Sequence, residues 1–508
     1  MSGKILELEP LAARIRELRR AGSRVALCHG VFDLLHVGHL RYFKGARRKA
    51  DVLVVTVTPD RFVDKGPHRP AFDEGLRLEA LAALEVVDLV ALNAWPTAEE
   101  TLRLLRPDVY VKGAEFQRRG ADPTGKMELE RRAAAEAGCA VEFVEDLVFS
   151  SSLLINRHLP VYSQEVGEYL ADLRENRPLG EVLSLLDGLA DLRVLVVGDA
   201  IVDEYVYVET LGKASKDPAL ANRYLSEERF AGGAVAVANH VASFGCRVDL
   251  VTVVGGDGRG EFLEASLAPT VRPRFVERRS AATVTKRRFV ESYSSNKLFS
   301  VYRMDVETPP PEVVEALQRA VRDAALEDGG VDLVVCADYG HGAVPAALVE
   351  TLCGLPSFLA VNTQANAGNR GFHTVARYRR ADFVCLAEHE IRLETRDSEG
   401  KLDPLMSSLA RRMGGALVVV TRGKRGCRVR DRDGAFHDAP ALVSKVVDRV
   451  GAGDAFFSLA SLAVKAGAAP EVVALLGNAA GAQGVEIVGN REALDATRLR
   501  KMLTATLK

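Results

Sequence analysis

Short continuous runs of apolar, mostly β-branched residues recur along this chain, and segments with a helical period separate them. The clearest runs are residues 24–28, 52–57, 109–111, 194–197, 333–336 and 417–420. A strand that is apolar at every position is buried on both faces, which is typical of a parallel sheet covered by helices. We therefore predict an α/β fold with parallel sheets in both halves of the chain.

Length and charge restrict the function classes. At about 100 to 200 residues per domain, a chain of 508 residues predicts two to four domains. A net charge of −2 does not indicate a basic surface for binding nucleic acid or a polybasic surface for binding membranes. No apolar run approaches the roughly 18 residues of a membrane span, and residues 1–25 lack the apolar core of a secretory signal. We expect a cytoplasmic protein that binds neither nucleic acid nor membrane.

The seven cysteines are scattered, and no two form a CxxC pair. We predict that they are small buried apolar side chains, as expected in a reducing compartment.

A domain boundary is predicted between residues 160 and 190. Residues 163–189 are polar and helix-like, an Arg-Pro-Leu-Gly sequence at 177–180 interrupts them, and a new apolar run starts at Leu192. The sequence thus predicts an N-terminal domain over 1–160, a helical connector over 161–190 and a C-terminal domain over 191–508.

The first candidate site follows the first predicted strand, where residues 29–39 read HGVFDLLHVGH and a helix is predicted over 40–49. A glycine turn between a strand and a helix places backbone N–H groups at the sheet's carboxyl edge, which is an anion site. His36 and His39 are three residues apart, so both imidazoles can donate to one phosphate in its transition state. Gly38 leaves room for a nucleotide to approach the backbone.

Over residues 24–158 the chain resembles the cytidylyltransferase-like superfamily, through this string, KGPHRP at 65–70 and the Ser run at 150–152. The resemblance implies a small Rossmann-like nucleotidyltransferase domain with His36 and His39 as catalytic residues. It implies that the nucleotide and its phosphates are bound by Gly30, Phe32, Asp33, Gly38, Lys65, Arg69, Arg77, Lys112, Ser151 and Ser152.

The second candidate site lies at residues 447–457, which read VDRVGAGDAFF, and helical character continues from this segment to Ala466, where Gly467 is a natural stop. Gly451 and Gly453 allow consecutive N–H groups to converge at a helix N-terminus, where they can hold a transferred phosphoryl group. Asp454 can accept the proton of an attacking hydroxyl.

This segment and AGGAVAVAN at 231–239 resemble the two signatures of PfkB (ribokinase-like) carbohydrate kinases, over about residues 191–500. The resemblance implies a larger α/β kinase domain with a small lid and with Asp454 as the catalytic base. It implies sugar contacts from Asp199, Asp203, Gly232, Gly233 and Asn239. It implies an anion hole and ATP site at Gly451, Ala452, Gly453, Thr421, Gly423, Gly426 and Asn478, and a water-mediated metal contact at Glu390.

Three positions depart from the family pattern. Ala236 replaces an Asn that often contacts the sugar, Ala387 replaces the Asn of a metal-associated Asn-x-x-Glu motif, and residues 362–364 read NTQ where heptose enzymes have Asp-Pro-Lys. The sugar pocket and the handling of magnesium are therefore expected to differ from those of the heptose enzymes.

As a whole, the chain resembles the HldE-type bifunctional family with the domain order swapped. That implies phosphorylation of a sugar phosphate by ATP and transfer of NMP from a second NTP, ATP or CTP, giving an NDP-sugar. The product would be ADP-heptose-like, for lipopolysaccharide or surface polysaccharide. Mg²⁺ is the expected cofactor, and a homo-oligomer is expected. Two alternatives stay open: two activities on unrelated substrates, and a C-terminal pseudokinase that senses sugar or dimerises.

Overall fold

The computed structural model describes residues 3–63, 70–114, 126–144, 163–305, 307–443 and 446–507. The chain divides into two compact units, Met1–Gln164 together with Lys501–Lys508, and Glu165–Arg500. We describe each unit by itself.

The first unit contains one five-stranded sheet in which every strand pairing is parallel. Its strands are β1 (Val25–Gly30), β2 (Val52–Val57), β3 (Leu89–Leu92), β4 (Val109–Gly113) and β5 (Ala140–Val144), and its helices are α1 (Leu8–Arg20), α2 (Val37–Arg47), α3 (Glu74–Ala82), α4 (Glu99–Leu105) and α5 (Lys126–Glu136). The strand order is β3-β2-β1-β4-β5, so the direction of winding reverses between β1 and β4. Ligands bind at the carboxyl ends of the strands at such a switch point.

Strand β1 shows why continuous apolar runs predict this sheet. Val25 and Leu27 belong to one hydrophobic cluster, whereas Ala26 and Cys28 belong to another. All four side chains are completely buried. Successive side chains of a strand point to opposite faces, so both faces of this sheet are covered and the predicted α/β architecture is confirmed.

The second unit contains a nine-stranded sheet whose strand pairings are all parallel except the last two. Its strands are β6 (Arg193–Gly198), β9 (Arg247–Gly255), β10 (Val271–Arg278), β13 (Leu333–Asp338), β14 (Phe358–Thr363), β15 (Phe383–Ala387), β16 (Leu417–Thr421), β17 (Cys427–Arg430) and β18 (Phe436–Ala439). The order β10-β9-β6-β13-β14-β15-β16-β17-β18 reverses between β6 and β13. The second switch point therefore lies where those two strands end.

A separate four-stranded sheet has the order β12-β11-β7-β8 and corresponds to the predicted lid. It consists of β7 (Ala200–Lys213), β8 (Leu220–Gly233), β11 (Thr285–Glu291) and β12 (Lys297–Arg303). Strands β7 and β8 form a long antiparallel pair that runs from Ala200 opposite Gly233 to Lys213 opposite Leu220.

From Gln164 onward, the described residues form eleven α-helices. They are α6 (Gln164–Asn176), α7 (Leu179–Gly188), α8 (Ala234–Ala242), α9 (Arg259–Ala265), α10 (Pro311–Leu326), α11 (Ala346–Gly354), α12 (Glu388–Thr395), α13 (Leu402–Arg412), α14 (Ala452–Lys465), α15 (Pro470–Gly484) and α16 (Ala496–Leu507). All seven cysteines are buried and free, as predicted. No helix within the described ranges is both long enough and apolar enough to cross a bilayer.

Candidate active sites

The loop between β1 and α2 holds the two predicted catalytic histidines of the first unit. His36 is the N-cap of α2, and its Nδ1 accepts a hydrogen bond from the Gly38 N–H at 3.1 Å. An accepting Nδ1 carries no proton, so the neutral ring has its N–H at Nε2, where it can act as a donor. Burial lowers the pKa of His36 and favours this neutral form. The rings of His36 and His39 have centroids 4.0 Å apart, so the structure brings the two residues together as predicted.

Phe32 shapes the same loop. Its φ of 49° lies in the left-handed region, and its ring is buried against His39 and Phe43, with centroid distances of 5.5 and 5.1 Å. A Cβ on Gly30 would lie 3.1 Å from the Phe32 ring, so this position favours glycine. Phe32 thus packs against His39, and Gly30 leaves room for the Phe32 ring.

The Arg77 side chain is buried among backbone carbonyls and one carboxylate. The Arg77 side chain is 1% exposed, and its nitrogens donate to the carbonyls of Phe72, Val31 and Thr58 and to Asp60 Oδ1. Each nitrogen of the guanidinium already has an acceptor. Arg77 therefore connects the loops that follow β1 and β2 by hydrogen bonds. The predicted contact of Arg77 with phosphate stays a prediction.

The Asp33 carboxylate is also engaged with the backbone. Its Oδ1 accepts from the N–H groups of Ala71 and Phe72 at 2.6 and 3.1 Å. Asp33 therefore anchors the segment that immediately follows residues 64–69. Its predicted contact with the nucleotide stays a prediction.

Lys112, at the end of β4, lies in a buried polar cluster that sequence reasoning missed. Its Nζ is 2.8 Å from Glu130 Oε2, which also accepts from the Tyr110 hydroxyl at 3.0 Å. Burial alone would raise the pKa of Glu130, but the charge and hydrogen bond of Lys112 lower it overall. Glu130 thus fixes the position of the Lys112 ammonium. Nothing in the local sequence around residue 130 indicates this pairing.

His29, at the end of β1, is another residue that sequence reasoning did not assign. Its ring nitrogens lie 3.0 Å from Thr56 Oγ1 and 3.3 Å from Thr58 Oγ1, so it connects β1 to the end of β2.

Four predicted nucleotide ligands, Lys65, Arg69, Ser151 and Ser152, lie outside the described residues.

In the second unit, the glycine turn begins α14 as predicted. Gly451 is its N-cap, with a φ of 87°, and α14 starts at Ala452. A Cβ on Gly451 would lie 2.2 Å from Asn490 Oδ1, so only glycine fits against this side chain. Gly453 lies in the first turn, and no neighbouring atom lies within 4 Å of where its Cβ would be. The first-turn N–H groups thus lie at a helix N-terminus that favours an anion.

Asp454 lies in the first turn of α14, and its Oδ1 accepts a hydrogen bond of 2.6 Å from the buried Tyr339 hydroxyl. Burial raises the pKa of Asp454 to about 6, against the opposing effects of the Tyr339 hydrogen bond and the Lys286 charge. A carboxyl with this pKa is mostly ionised at neutral pH and remains a better base than an ordinary aspartate. The Lys286 ammonium lies 6.0 Å from the centre of the Tyr339 ring.

Asp199 follows β6 at the switch point and organises the loop after β13. Its Oδ1 accepts from the Ala343 N–H at 2.8 Å, and its Oδ2 accepts from the N–H groups of Tyr339 and His341 at 2.9 and 3.3 Å. Burial, with a contribution from nearby Asp338, raises the pKa of Asp199 to about 6. Asp199 therefore holds the backbone that carries Tyr339, and a sugar contact at this carboxylate stays a prediction.

Asp203 lies on β7, inside the small sheet, and pairs with Arg288 of β11. A Cβ on Gly232 would come within 2.4 Å of Asp203 Oδ2, and a Cβ on Gly233, whose φ is 61°, would clash with the Asp199 carbonyl. The structure thus brings the predicted sugar-site residues Asp199, Asp203, Gly232 and Gly233 together. Ala236 is buried on the adjoining α8, where it offers no polar group.

Two predicted ligands have side chains that bond to the chain itself. Asn239 donates to the Ser266 carbonyl and accepts from the Ala268 N–H, both at 2.9 Å. Asn478 donates to the carbonyls of Ala439 and Pro440 at 3.3 and 3.2 Å. Because these amides already have partners, the structure gives both a clear structural role.

Glu390 lies in the first turn of α12. Its two oxygens accept from the N–H groups of Ala387 and Ala365 at 2.6 and 3.0 Å, and burial raises its pKa to about 7. Within the described residues, no group of three or more His, Cys, Asp or Glu side chains is placed to hold a metal ion. A water-mediated metal contact at Glu390 stays a prediction.

The predicted nucleotide-side residues lie at the end of β16. Thr421 is the last residue of β16, and Gly423 and Gly426 have φ values of 57° and 76°. A Cβ on Gly426 would lie 1.9 Å from the Ala439 carbonyl, so the turn requires glycine.

Asp338, at the end of β13, is the centre of a buried network. It accepts from the Tyr378 hydroxyl at 2.7 Å and from Arg377 at 3.0 Å, and it lies 2.5 Å from His373 Nε2. This network fixes the start of the loop that carries Tyr339. Its members are 35 to 40 residues away from Asp338 in sequence, so no local pattern predicts them.

A glycine turn and a buried carboxylate at one helix N-terminus define a site for phosphoryl transfer. Comparison with known families agrees: the chain belongs to the pfkB family of carbohydrate kinases, whose family model matches residues 191–497. A second family model, Cytidylyltransferase-like, matches residues 27–156. The predicted kinase and nucleotidyltransferase classes are thus confirmed at the level of family.

Relatives of this chain carry the name "Bifunctional protein HldE". The protein from Methylobacillus flagellatus is 42% identical over 115 residues, or 22% of this chain and 24% of its own length. The protein from Rhodopseudomonas palustris strain TIE-1 is 28% identical over 325 residues, or 63% of this chain and 65% of its own length. The chain therefore spans less than two thirds of either relative in these alignments.

Among solved structures, the tetrameric inhibited form of phosphofructokinase-2 from Escherichia coli is similar to this chain. The similarity has a TM-score of 0.50 at 16% identity and covers 62% of this chain and all of that one. At this identity the similarity supports the fold of the kinase unit.

The hydrogen bond from Tyr339 to Asp454 makes a testable contribution to the pH dependence of the kinase step. It stabilises the carboxylate and so lowers a pKa that burial raises to about 6. In Tyr339→Phe the pKa of Asp454 should rise, so the acidic limb of kcat against pH should move to higher pH. Steady-state phosphoryl transfer measured from about pH 5 to 8 tests this. An acidic limb that stays in place or moves to lower pH would exclude Asp454 as the titrating base.

Proposed function

We propose that this chain activates a sugar phosphate in two steps, one in each unit. The C-terminal unit phosphorylates the sugar phosphate with ATP to give a sugar 1-phosphate. The N-terminal unit then joins that product to NMP from ATP or CTP, releasing pyrophosphate and forming an NDP-sugar. This proposal rests on two helix N-termini that present the predicted catalytic side chains: His36 caps α2, and the first turn of α14 contains Asp454, which bonds to Tyr339.

In the kinase step, Asp454 would take the proton of the attacking hydroxyl while the first-turn N–H groups of α14 stabilise the transferred phosphoryl group. Its burial, its pKa of about 6 and its bond to Tyr339 suit this role. The same features favour an active kinase over a pseudokinase, since a sensing module has no need for a buried base of raised pKa.

In the nucleotidyl step, the Nε2–H of His36 and a ring N–H of His39 would donate to the α-phosphate as negative charge develops on its oxygens. The 4.0 Å separation of their rings is short enough for both to reach one phosphate. Lys112, held by Glu130, would add a positive charge at the end of β4.

Mg²⁺ is the cofactor that both steps imply. It commonly binds through substrate phosphates and one or two carboxylates while keeping several waters. Both Glu390 oxygens already accept from backbone N–H groups, so Glu390 would contact a nucleotide-bound magnesium ion through water. Bound in this way, the ion would offset phosphate charge while the chain's own residues position the reactants.

The acceptor is proposed to be a phosphorylated sugar that differs from manno-heptose 7-phosphate, and the product to be ADP-heptose-like, for a surface polysaccharide. Ala236 presents only a methyl group where an Asn could read a hydroxyl. A site that hydrogen-bonds a hydroxyl rejects analogues lacking it far more strongly than an apolar surface does. The sugar should therefore differ at the hydroxyl that such an Asn would contact.

A substrate panel tests this proposal directly. We expect kcat/KM for phosphorylation to be highest for a heptose, hexose or pentose phosphate other than manno-heptose 7-phosphate. Ala236→Asn, which restores the amide, should shift the preference toward manno-heptose 7-phosphate. If the unmodified enzyme already prefers that sugar by a wide margin, Ala236 carries no information about the substrate.

A further inference from the structure

The loop before the glycine turn contains a buried carboxylate with four donors. Asp448 is 7% exposed. Its Oδ1 accepts from Lys297 Nζ at 2.5 Å and from the Val450 N–H at 3.2 Å. Its Oδ2 accepts from the Tyr205 hydroxyl at 2.6 Å and from the Gly489 N–H at 3.1 Å. Two of the donors are backbone groups of the kinase site, and the other two are side chains of the small sheet.

The two backbone donors flank the glycine turn. Val450 immediately precedes Gly451, the N-cap of α14. Gly489 immediately precedes Asn490, whose side-chain oxygen lies against Gly451. By accepting from both segments, Asp448 determines how close the Asn490 side chain and the glycine turn lie. The orientation of the first-turn N–H groups of α14 therefore depends on this carboxylate.

The two side-chain donors belong to neighbouring parts of the small sheet. Tyr205 is on β7 and Lys297 begins β12, and the Lys297 ammonium lies 5.2 Å from the centre of the Tyr205 ring. The guanidinium of Arg288 lies 5.6 Å from the centre of the same ring and pairs with Asp203. A continuous set of charge and ring contacts thus connects the predicted sugar site to the loop before the glycine turn.

We propose that Lys297 is a positioning residue of the kinase site, which holds Asp448 and through it the glycine turn that receives the phosphoryl group. This rests on the kinase activity proposed above and goes beyond it, because Lys297 acts through its contact with Asp448. An exposed ion pair contributes little, but here the carboxylate is buried, and removing its cation leaves a charge without full compensation. The carboxylate must then take up water or a proton, and the turn loses its fixed geometry.

The test compares Lys297→Met and Lys297→Gln, which remove the positive charge, with Lys297→Arg, which keeps it. Arg223→Met is the matched control, since Arg223 pairs with Glu209 in an exposed position of the same small sheet. Amide hydrogen exchange of peptides covering residues 448–456 should be faster in the Met and Gln variants, near normal in the Arg variant and unchanged in the control. Exchange in β13 should stay slow in all four, which shows that the unit remains folded.

Kinetics supply the second readout. We expect kcat for phosphoryl transfer to fall by about 10- to 100-fold in the Met and Gln variants, with acceptor KM nearly unchanged, because geometry is lost and binding is not. Unchanged exchange at 448–456 would overturn the proposal, and so would faster exchange with an unchanged kcat. If the unmodified enzyme phosphorylates no sugar, the proposed function fails, while the exchange result still decides whether Lys297 positions the turn.

Discussion

Replacing Asp454 with Asn should reduce phosphoryl transfer by about three orders of magnitude while acceptor binding is retained. The amide keeps the size of the carboxylate and can still bond to the Tyr339 hydroxyl, but it cannot accept the proton of the attacking group. Steady-state turnover measures the first effect, and isothermal titration calorimetry with the acceptor measures the second. Nucleotidyl transfer from a supplied sugar 1-phosphate should be unaffected.

Asp403→Asn is the control for this change. Asp403 lies in the first turn of α13, as Asp454 lies in that of α14, and it pairs with Arg428 away from the glycine turn. Its replacement should leave turnover near normal. Substantial turnover by Asp454→Asn would mean that the substrate or water takes the proton, and the assignment of the base would be wrong.

The second large effect is expected at the two histidines. His39→Ala should lower nucleotidyl transfer by at least about a hundredfold, which is the usual cost of losing one transition-state donor. The His36→Ala/His39→Ala double variant should lose still more, while phosphorylation continues at its normal rate. Pyrophosphate release from the NTP in the presence of a sugar 1-phosphate measures the nucleotidyl step.

His36 requires a more careful variant, because it also caps α2 through Gly38. His36→Asn keeps a side-chain acceptor at the N-cap, so it should preserve thermal stability while losing the imidazole donor. A fall in nucleotidyl transfer without a fall in melting temperature would separate chemistry from folding. Full activity in the double variant would contradict the site assignment.

The sequence predicts the central sheets well because each of their strands is itself a continuous apolar run. The run at 52–57 coincides with β2, and the run at 417–420 lies within β16, since a strand buried on both faces is apolar throughout. Helix ends were less accurate. Helix α2 starts at Val37 rather than 40 because His36, an unusual cap residue, begins it, whereas α14 starts at Ala452, at the glycine turn where its N-terminus was predicted.

The candidate sites were predictable where function depends on adjacent residues, as in the histidine pair and the glycine turn. They were not predictable where a side chain is held by a distant one. Tyr339 and Asp454 are 115 residues apart, and Lys297 and Asp448 are 151 apart. The partners of Arg77 were hidden in the same way, since the carbonyls of Val31 and Thr58 that it contacts lie 46 and 19 residues away in sequence.

The most direct test of the account is mass spectrometry of the products formed from a sugar-phosphate library with ATP and CTP. The account predicts an NDP-sugar from the unmodified enzyme. With Asp454→Asn it predicts the same NDP-sugar only when the sugar 1-phosphate is supplied, and with His39→Ala it predicts accumulation of the sugar 1-phosphate. The absence of any NDP-sugar from the unmodified enzyme, or its undiminished formation by Asp454→Asn from the unactivated sugar phosphate, would contradict a two-step activation within one chain.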